Sequence, residues 1–248
     1  MERAKYFIII LLSLFSSSIQ ASNKTEIYRA FVSSNMSEWK KVIDRMHVVE
    51  DKNNEHILEL LNYQYGFIAW CLGNNNYHLA EEYLARGEKN IEILERRNYS
   101  VSLVNSYKSA FYGFRIGLNK LHAPWIGPRS IEHAEKAIQL DRKNPYAYIQ
   151  YANIQFYMPR IFGGSKSVAL ENYSKAQKLM ERHAEGTESD WNYLNLLTMI
   201  ANVYQSLGQY DQAKACYENI LKIEPEYLWA RDELLPQLLK KIKQDTSV

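Results

Sequence analysis

The sequence predicts an all-α protein, a solenoid of antiparallel helical hairpins with a C-terminal capping helix. Three observations carry that expectation. Apolar residues recur at alternating steps of three and four along most of the chain, the period of one helix face. Gly and Pro are scarce, ten and six among 248 residues, whereas sandwiches and dinucleotide-binding folds need more turn residues. The pattern of helix, short turn, helix then returns several times.

Composition bounds the rest. With 46% hydrophobic and 23% charged residues, the chain can bury a core and is neither disordered nor saturated with membrane spans. Its net charge is +2, and the 30 basic residues are spread among 28 acidic ones. A footprint for phosphate backbones is therefore not visible, and nucleic acid is not an expected partner.

Residues 1–21 have a different character. Arg3 and Lys5 precede an apolar run from Tyr6 to Phe15, followed by small and polar residues up to Ala21. As a helix, that run would span about 15 Å, half of a bilayer's hydrocarbon core. This predicts a signal peptide over 1–21, cut after Ala21, and one repeat domain over 22–248. The expected location is periplasmic or secreted and soluble, with membrane contact only through the leader if it stays uncleaved. Cys71 and Cys216 are expected as two separate buried thiols, since the hairpin stack places them several helix pairs apart.

The elements follow in chain order. Tyr28 and Phe31 mark one helix, and Trp39, Ile43 and Met46 the next, with Asn35 and Glu38 spaced as a capping box. Ile57, Leu60, Leu61, Tyr65, Ile68 and Leu72 form a stripe. Only Gly73 to Asn76 separate it from a second stripe running from Tyr77 to Leu94, which makes an antiparallel hairpin. A helix from about Ser100 to Leu121 precedes Ile131, Ala134, Ala137 and Leu140, and Pro124, Trp125 and Pro128 are expected to interrupt the pattern between them. Tyr148, Tyr151 and Ala152 pair with Ala169, Tyr173, Ala176 and Leu179. Leu197, Ile200, Ala201 and Tyr204 lead through Gly208 to Tyr210, Ala213, Tyr217 and Ile220, closing at Pro225. A last helix from about Leu228 to Lys243 caps the stack.

The final hairpin strongly resembles the tetratricopeptide repeat, matching eight positions in order from Leu197 to Pro225. Small residues there let the two helices approach, aromatic ones fill the space beside them, and Pro225 ends the second helix. The resemblance implies a right-handed superhelix, although Ala80, Ala169 and Ala213 are spaced more widely than the usual period of about 34 residues. Tyr65 to Trp70, Asp141 to Pro145, Pro159 to Gly164 and Pro225 to Trp229 make the chain similar to secreted tetratricopeptide proteins of Bacteroidota. The Pro159 to Gly164 loop also resembles one in the helical T-component of TRAP-type transporters.

Signatures of chemistry are sparse. The six histidines show no metal-ligand spacing, and His133 reads as part of a solvated helix face. Phe162 to Ser167 lacks the Gly-Lys-Ser/Thr ending of a phosphate loop, since Ser165 stands before Lys166, and no strand is expected before it. Pro159 is expected to stop a helix, Gly163 and Gly164 to take special backbone angles, and Ser165 to cap the next helix. Nucleophile-elbow, paired-cysteine and dinucleotide motifs are missing, so no catalytic, metal or cofactor residue is assigned and no cofactor is implied. Most of the 19 Tyr and 5 Trp are assigned to core or seam.

One constellation comes from the resemblance. Peptide-binding tetratricopeptide domains line their concave face with the first helix of each hairpin, where an Asn after a small residue bonds the ligand backbone. The matching positions here are Asn202, Asn153 and, in a less regular copy, Asn119. An amide offers both donors and an acceptor to a peptide bond. Gln150, Phe156, Asn195, Met199 and Gln205 lie a turn away on the same faces. The expected function is an exported scaffold whose concave face binds a protein or peptide segment. A transporter accessory or small-molecule binder is the alternative, favoured by an enclosed aromatic pocket. An enzyme with an unrecognised site would require perturbed ionisable groups converging in one cleft.

Overall fold

The computed structural model describes residues 23–182 and 187–245; the expected signal peptide lies outside them. Eleven helices follow in order among the described residues, with no strand. They are α1 (23–32), α2 (Met36–His47), α3 (Asn54–Gly73), α4 (Tyr77–Arg96), α5 (Val101–Leu118), α6 (Ala123–Leu140), α7 (Pro145–Tyr157), α8 (Lys166–Glu181), α9 (Trp191–Ser206), α10 (Tyr210–Ile223) and α11 (Leu235–Asp245). Consecutive helices pair into five hairpins, and the fold is an all-α, tetratricopeptide-like solenoid. No described helix is long and apolar enough to cross a membrane.

Asparagine supplies much of the punctuation. The side chains of Asn35, Asn53, Asn76 and Asn144 each accept a backbone N–H at the start of α2, α3, α4 and α7, satisfying a donor that has no partner inside the helix. Small residues at the hairpin crossings are fully buried, among them Ala80, Ala134, Ala169 and Ala213. They let paired helices close to the distance that Tyr83, Tyr173 and Tyr217 then fill.

Two boundaries differ from expectation. α5 ends at Leu118, and a single 3-10 turn, Lys120–His122, leads straight into α6. Pro124 falls in the first turn of α6, where a missing N–H costs nothing, and Pro128 is carried inside the helix. The prolines therefore open a helix where an interruption was expected. At the other end the capping helix enters through a π-helical segment, Trp229–Leu234, before α11 buries Leu238.

The feature that sets the shape is a contact between distant parts of the chain. Trp191, the first residue of α9, packs into the core built from α1 to α5, edge-on to Trp39 at 4.9 Å between ring centroids. Val32 of α1 packs in return into the core built from α7 to α11. Phe31 lies 5.8 Å from the Trp191 ring and stacks on Tyr227 at 5.0 Å. Polar groups follow the same seam: Trp191 Nε1 donates to Asn62 Oδ1 at 3.1 Å, and the Asn62 amide donates to the Tyr107 hydroxyl and Asn192 Oδ1. Tyr28 donates to Glu224 at 2.8 Å. The solenoid thus closes on itself, and α9 is buried on nearly every side.

Gly66 is the point of closest approach. A Cβ there would meet Trp191 Cη2 and Trp39 Cζ2, each at 2.7 Å. Gly66→Ala is expected to cost about 1–3 kcal/mol of overpacking, read as a lower urea midpoint. A second expectation concerns pH. Burial alone would raise the Asp44 carboxyl, but Lys40, the Tyr83 hydroxyl and Arg86 donate to it at 2.6, 2.5 and 2.9 Å, and together they hold it below its usual range. A depressed carboxyl contributes stability that is present above the usual carboxylate range and lost as pH falls through its folded value. The melting temperature of wild type should therefore fall more steeply with acidification than that of Asp44→Asn; parallel curves would refute the assignment.

Candidate functional site

The first helices of the last two hairpins, α7 and α9, repeat one local design. Ala152 and Ala201 are fully buried against the second helix, and the next residue in each case is Asn153 or Asn202. Tyr173 of α8 donates its hydroxyl to Asn153 Oδ1, and Tyr217 of α10 donates to Asn202 Oδ1 at 2.7 Å. Each Tyr thus fixes the carbonyl of its Asn and thereby the direction of the amide N–H groups. Burial pushes the Tyr217 hydroxyl up to about 12 and raises that of Tyr173 well above its ordinary value, so both remain donors at neutral pH.

The two amides then differ. Asn153 Nδ2 donates to Gln150 Oε1 at 3.0 Å and reaches the Tyr65 hydroxyl at 3.4 Å. Among the described residues, Asn202 Nδ2 meets only the Met199 sulfur, at 4.0 Å, a weak acceptor. Asn202 is half-buried, as is Gln205 one turn on.

The remaining expected residues fall as follows. Gln150 is 2% exposed, so a bound segment does not reach its side chain. Asn195 and Met199 line a cavity of about 10 Å³ with Tyr65, Tyr146, Ile149 and Tyr173. That is room for one water molecule. Phe156 is half-buried beneath the Lys166 ammonium, 3.7 Å from its ring centroid, and burial lowers the Lys166 pKa. Asn119 lies apart from the others, in the turn after α5, where its exposed side chain accepts the Leu121 N–H at 3.0 Å. The structure brings Gln150, Asn153, Asn195 and Met199 together around Tyr65 of α3. An open concave groove was expected, and closure of the solenoid puts α3 across that face instead.

A larger groove of about 460 Å³ lies between α4, α5 and α6. Arg115 and Lys108 cross it to Glu88 and Glu95, both at 2.6 Å, so its main charges satisfy one another.

Several local readings resolve. Ser165 caps α8 through its hydroxyl, accepting the Val168 N–H at 3.3 Å. Gly163 has φ +97°, the left-handed region, whereas Gly164 is needed for room, because a Cβ would lie 1.9 Å from the Met158 carbonyl oxygen. His133 is not part of a solvated face: its Nδ1 bonds Asn105 Oδ1 at 2.8 Å and its ring stacks on Tyr112. Cys71 and Cys216 are free thiols, the first buried and the second half-buried. Burial raises both pKa values, that of Cys71 to about 12, which keeps both protonated and unreactive.

Sequence reasoning missed a set of exposed apolar side chains. Leu121, Trp125, Tyr157, Ile161 and Phe162 are 70% to 85% exposed, although most aromatics were assigned to the core. Leu121, Ile161 and Phe162 occupy 3-10 turns and Trp125 a helix start. Position outside any helical stripe was the available signal.

Comparison with known proteins fits this geometry. Residues 195–227 match the tetratricopeptide repeat. That span contains most of α9, all of α10 and the turn to Tyr227. Solved structures similar to the chain include the HusA haemophore from Porphyromonas gingivalis, with a TM-score of 0.59 and 19% identity, covering 75% of this chain and 93% of that one. At that identity the likeness speaks for the fold. The comparison with curated proteins gives no match.

Proposed function

We propose that this chain is an exported tetratricopeptide-type scaffold, without catalytic activity, that binds an extended protein segment at the half-exposed end of its inner face. The binding residues in this reading are Asn202 and Gln205. The observation that carries it is the state of Asn202: its carbonyl is held by Tyr217 at 2.7 Å, while among the described residues its amide has only a sulfur 4.0 Å away. An oriented, half-exposed amide donor suits a peptide carbonyl and has little ordering entropy left to lose on binding. Gln205 extends the same face by one turn.

Export rests on the leader, with Arg3 and Lys5 ahead of an apolar run and a small residue at position 21. The origin of HusA in Porphyromonas gingivalis agrees with a resemblance to secreted repeat proteins of Bacteroidota. The transporter-accessory and small-molecule reading gains nothing from the inner cavity, which at about 10 Å³ is too small for an organic ligand.

The test separates recognition from stability. Asn202→Asp keeps an oxygen for Tyr217 but removes both amide donors, whereas Asn202→Ala removes both functions. Tagged residues 22–248 should capture a protein from host envelope extract that Asn202→Asp/Gln205→Ala fails to capture, while the melting temperature of that variant stays near wild type. Undiminished capture by the variant would refute the assignment of these residues.

A further inference from the structure

The exposed apolar residues gather on one edge of the solenoid. Asn144, which caps α7, donates to Ser102 and Ser106 near the start of α5 at 2.9 and 3.2 Å, so α5 and α7 begin side by side and run parallel. At an equal rise per residue, Tyr157 comes level with the last turn of α5. Bonds between Ser109 and Ser130, and between Tyr173 and Asn153, set α6 and α8 antiparallel to them. The turns after α5 and α7 therefore stand next to each other. Leu121 and Trp125 project from the first turn and its following helix start, and Ile161 and Phe162 from the second, with Tyr157 between.

The charge on these two turns has one sign. No acidic residue occurs in 116–131 or in 142–170, whereas Lys120, Arg129 and Arg160 are exposed there. The opposite edge, where second helices pass to the next hairpin, is mixed, with exposed Glu50, Asp51, Asp141 and Glu226 beside exposed Arg96, Arg97, Arg142 and Lys143. Apolar tips among cations, on two segments with no carboxylate of their own, combine the two signals that hold a peripheral protein on an anionic lipid surface. Trp and Tyr suit the headgroup region because each has an apolar body and a polar handle.

We infer that this edge docks on an anionic phospholipid bilayer. Leu121, Trp125, Ile161 and Phe162 enter the headgroup region, and Lys120, Arg129 and Arg160 meet the phosphates. A second copy of the chain fits poorly, because a two-fold contact sets the same cations against each other. Tips standing on two short turns suit a flat, yielding acceptor better than a shaped protein pocket. The inference departs from the sequence expectation that only an uncleaved leader touches membrane, and it uses none of the residues of the proposed peptide site.

Co-sedimentation of residues 22–248, which hold every described helix, tests it. Vesicles containing phosphatidylglycerol should bind the protein at least about tenfold more tightly than pure phosphatidylcholine, and added salt should weaken binding. Trp125→Ser/Ile161→Ser/Phe162→Ser and, separately, Lys120→Glu/Arg160→Glu should each lower binding by about tenfold or more. Because these side chains are exposed, unchanged helical circular dichroism is expected in both. Absence of binding to either vesicle, or equal binding by the triple variant, would overturn the inference. So would a dimer in light scattering that the triple variant dissolves, since the edge would then be a self-contact.

Discussion

The indole of Trp191 is the constraint on which the rest of the structure depends. It opens α9, yet its ring belongs to the core of the first five helices, wedged against Trp39 and over Gly66. Without it, the described helices would make two smaller cores, one from α1 to α5 and one from α7 to α11. Each alone would leave apolar surface at the seam where Phe31, Trp39 and Tyr227 now meet. A buried indole contributes on the order of 3–5 kcal/mol against its removal, a large share of the stability of a domain this size. Its N–H is satisfied by Asn62, so the wedge carries no unpaired polar group into the core.

Closure has a functional price, because a solenoid offers its partners the face that closure covers. Tyr65 of α3 fills the space where an extended peptide would lie beside Gln150 and Asn153. What is left is the end of that face, at Asn202 and Gln205, together with the edge formed by the turns after α5 and α7. The hydrogen bond from Tyr217 to Asn202 has a dual role: it joins the two helices of the hairpin and orients the amide. A single contact thus links packing to the proposed recognition, which is why substitution at this position has to separate the two effects.

The hairpins were legible because each is a local matter. A stripe of apolar residues, a Gly or Asn turn and a small residue at the crossing specify a helix pair without reference to the rest of the chain, and Ala80, Ala169 and Ala213 all occupy buried crossings as their spacing suggested. Closure was not legible, since Trp39, Gly66 and Trp191 are far apart in sequence and nothing in a local pattern says that they meet. The same limit governed the candidate site: Asn153 and Asn202 were chosen by position in the repeat, but the burial of Gln150 depends on a helix from another hairpin. Asn119 shows a different failure, in which α5 stops three residues early and its amide becomes a turn cap. The prolines of α6 misled because Pro opens a helix as readily as it ends one.

Small-angle X-ray scattering of residues 22–248 tests closure most directly. A closed solenoid of this length should have a radius of gyration near that of an ordinary globular chain, about 17 Å, with a symmetric distribution of interatomic distances. A clearly larger radius with a long tail of distances would mean that the first and last hairpins stand apart in solution, and the account built on Trp191 would be wrong.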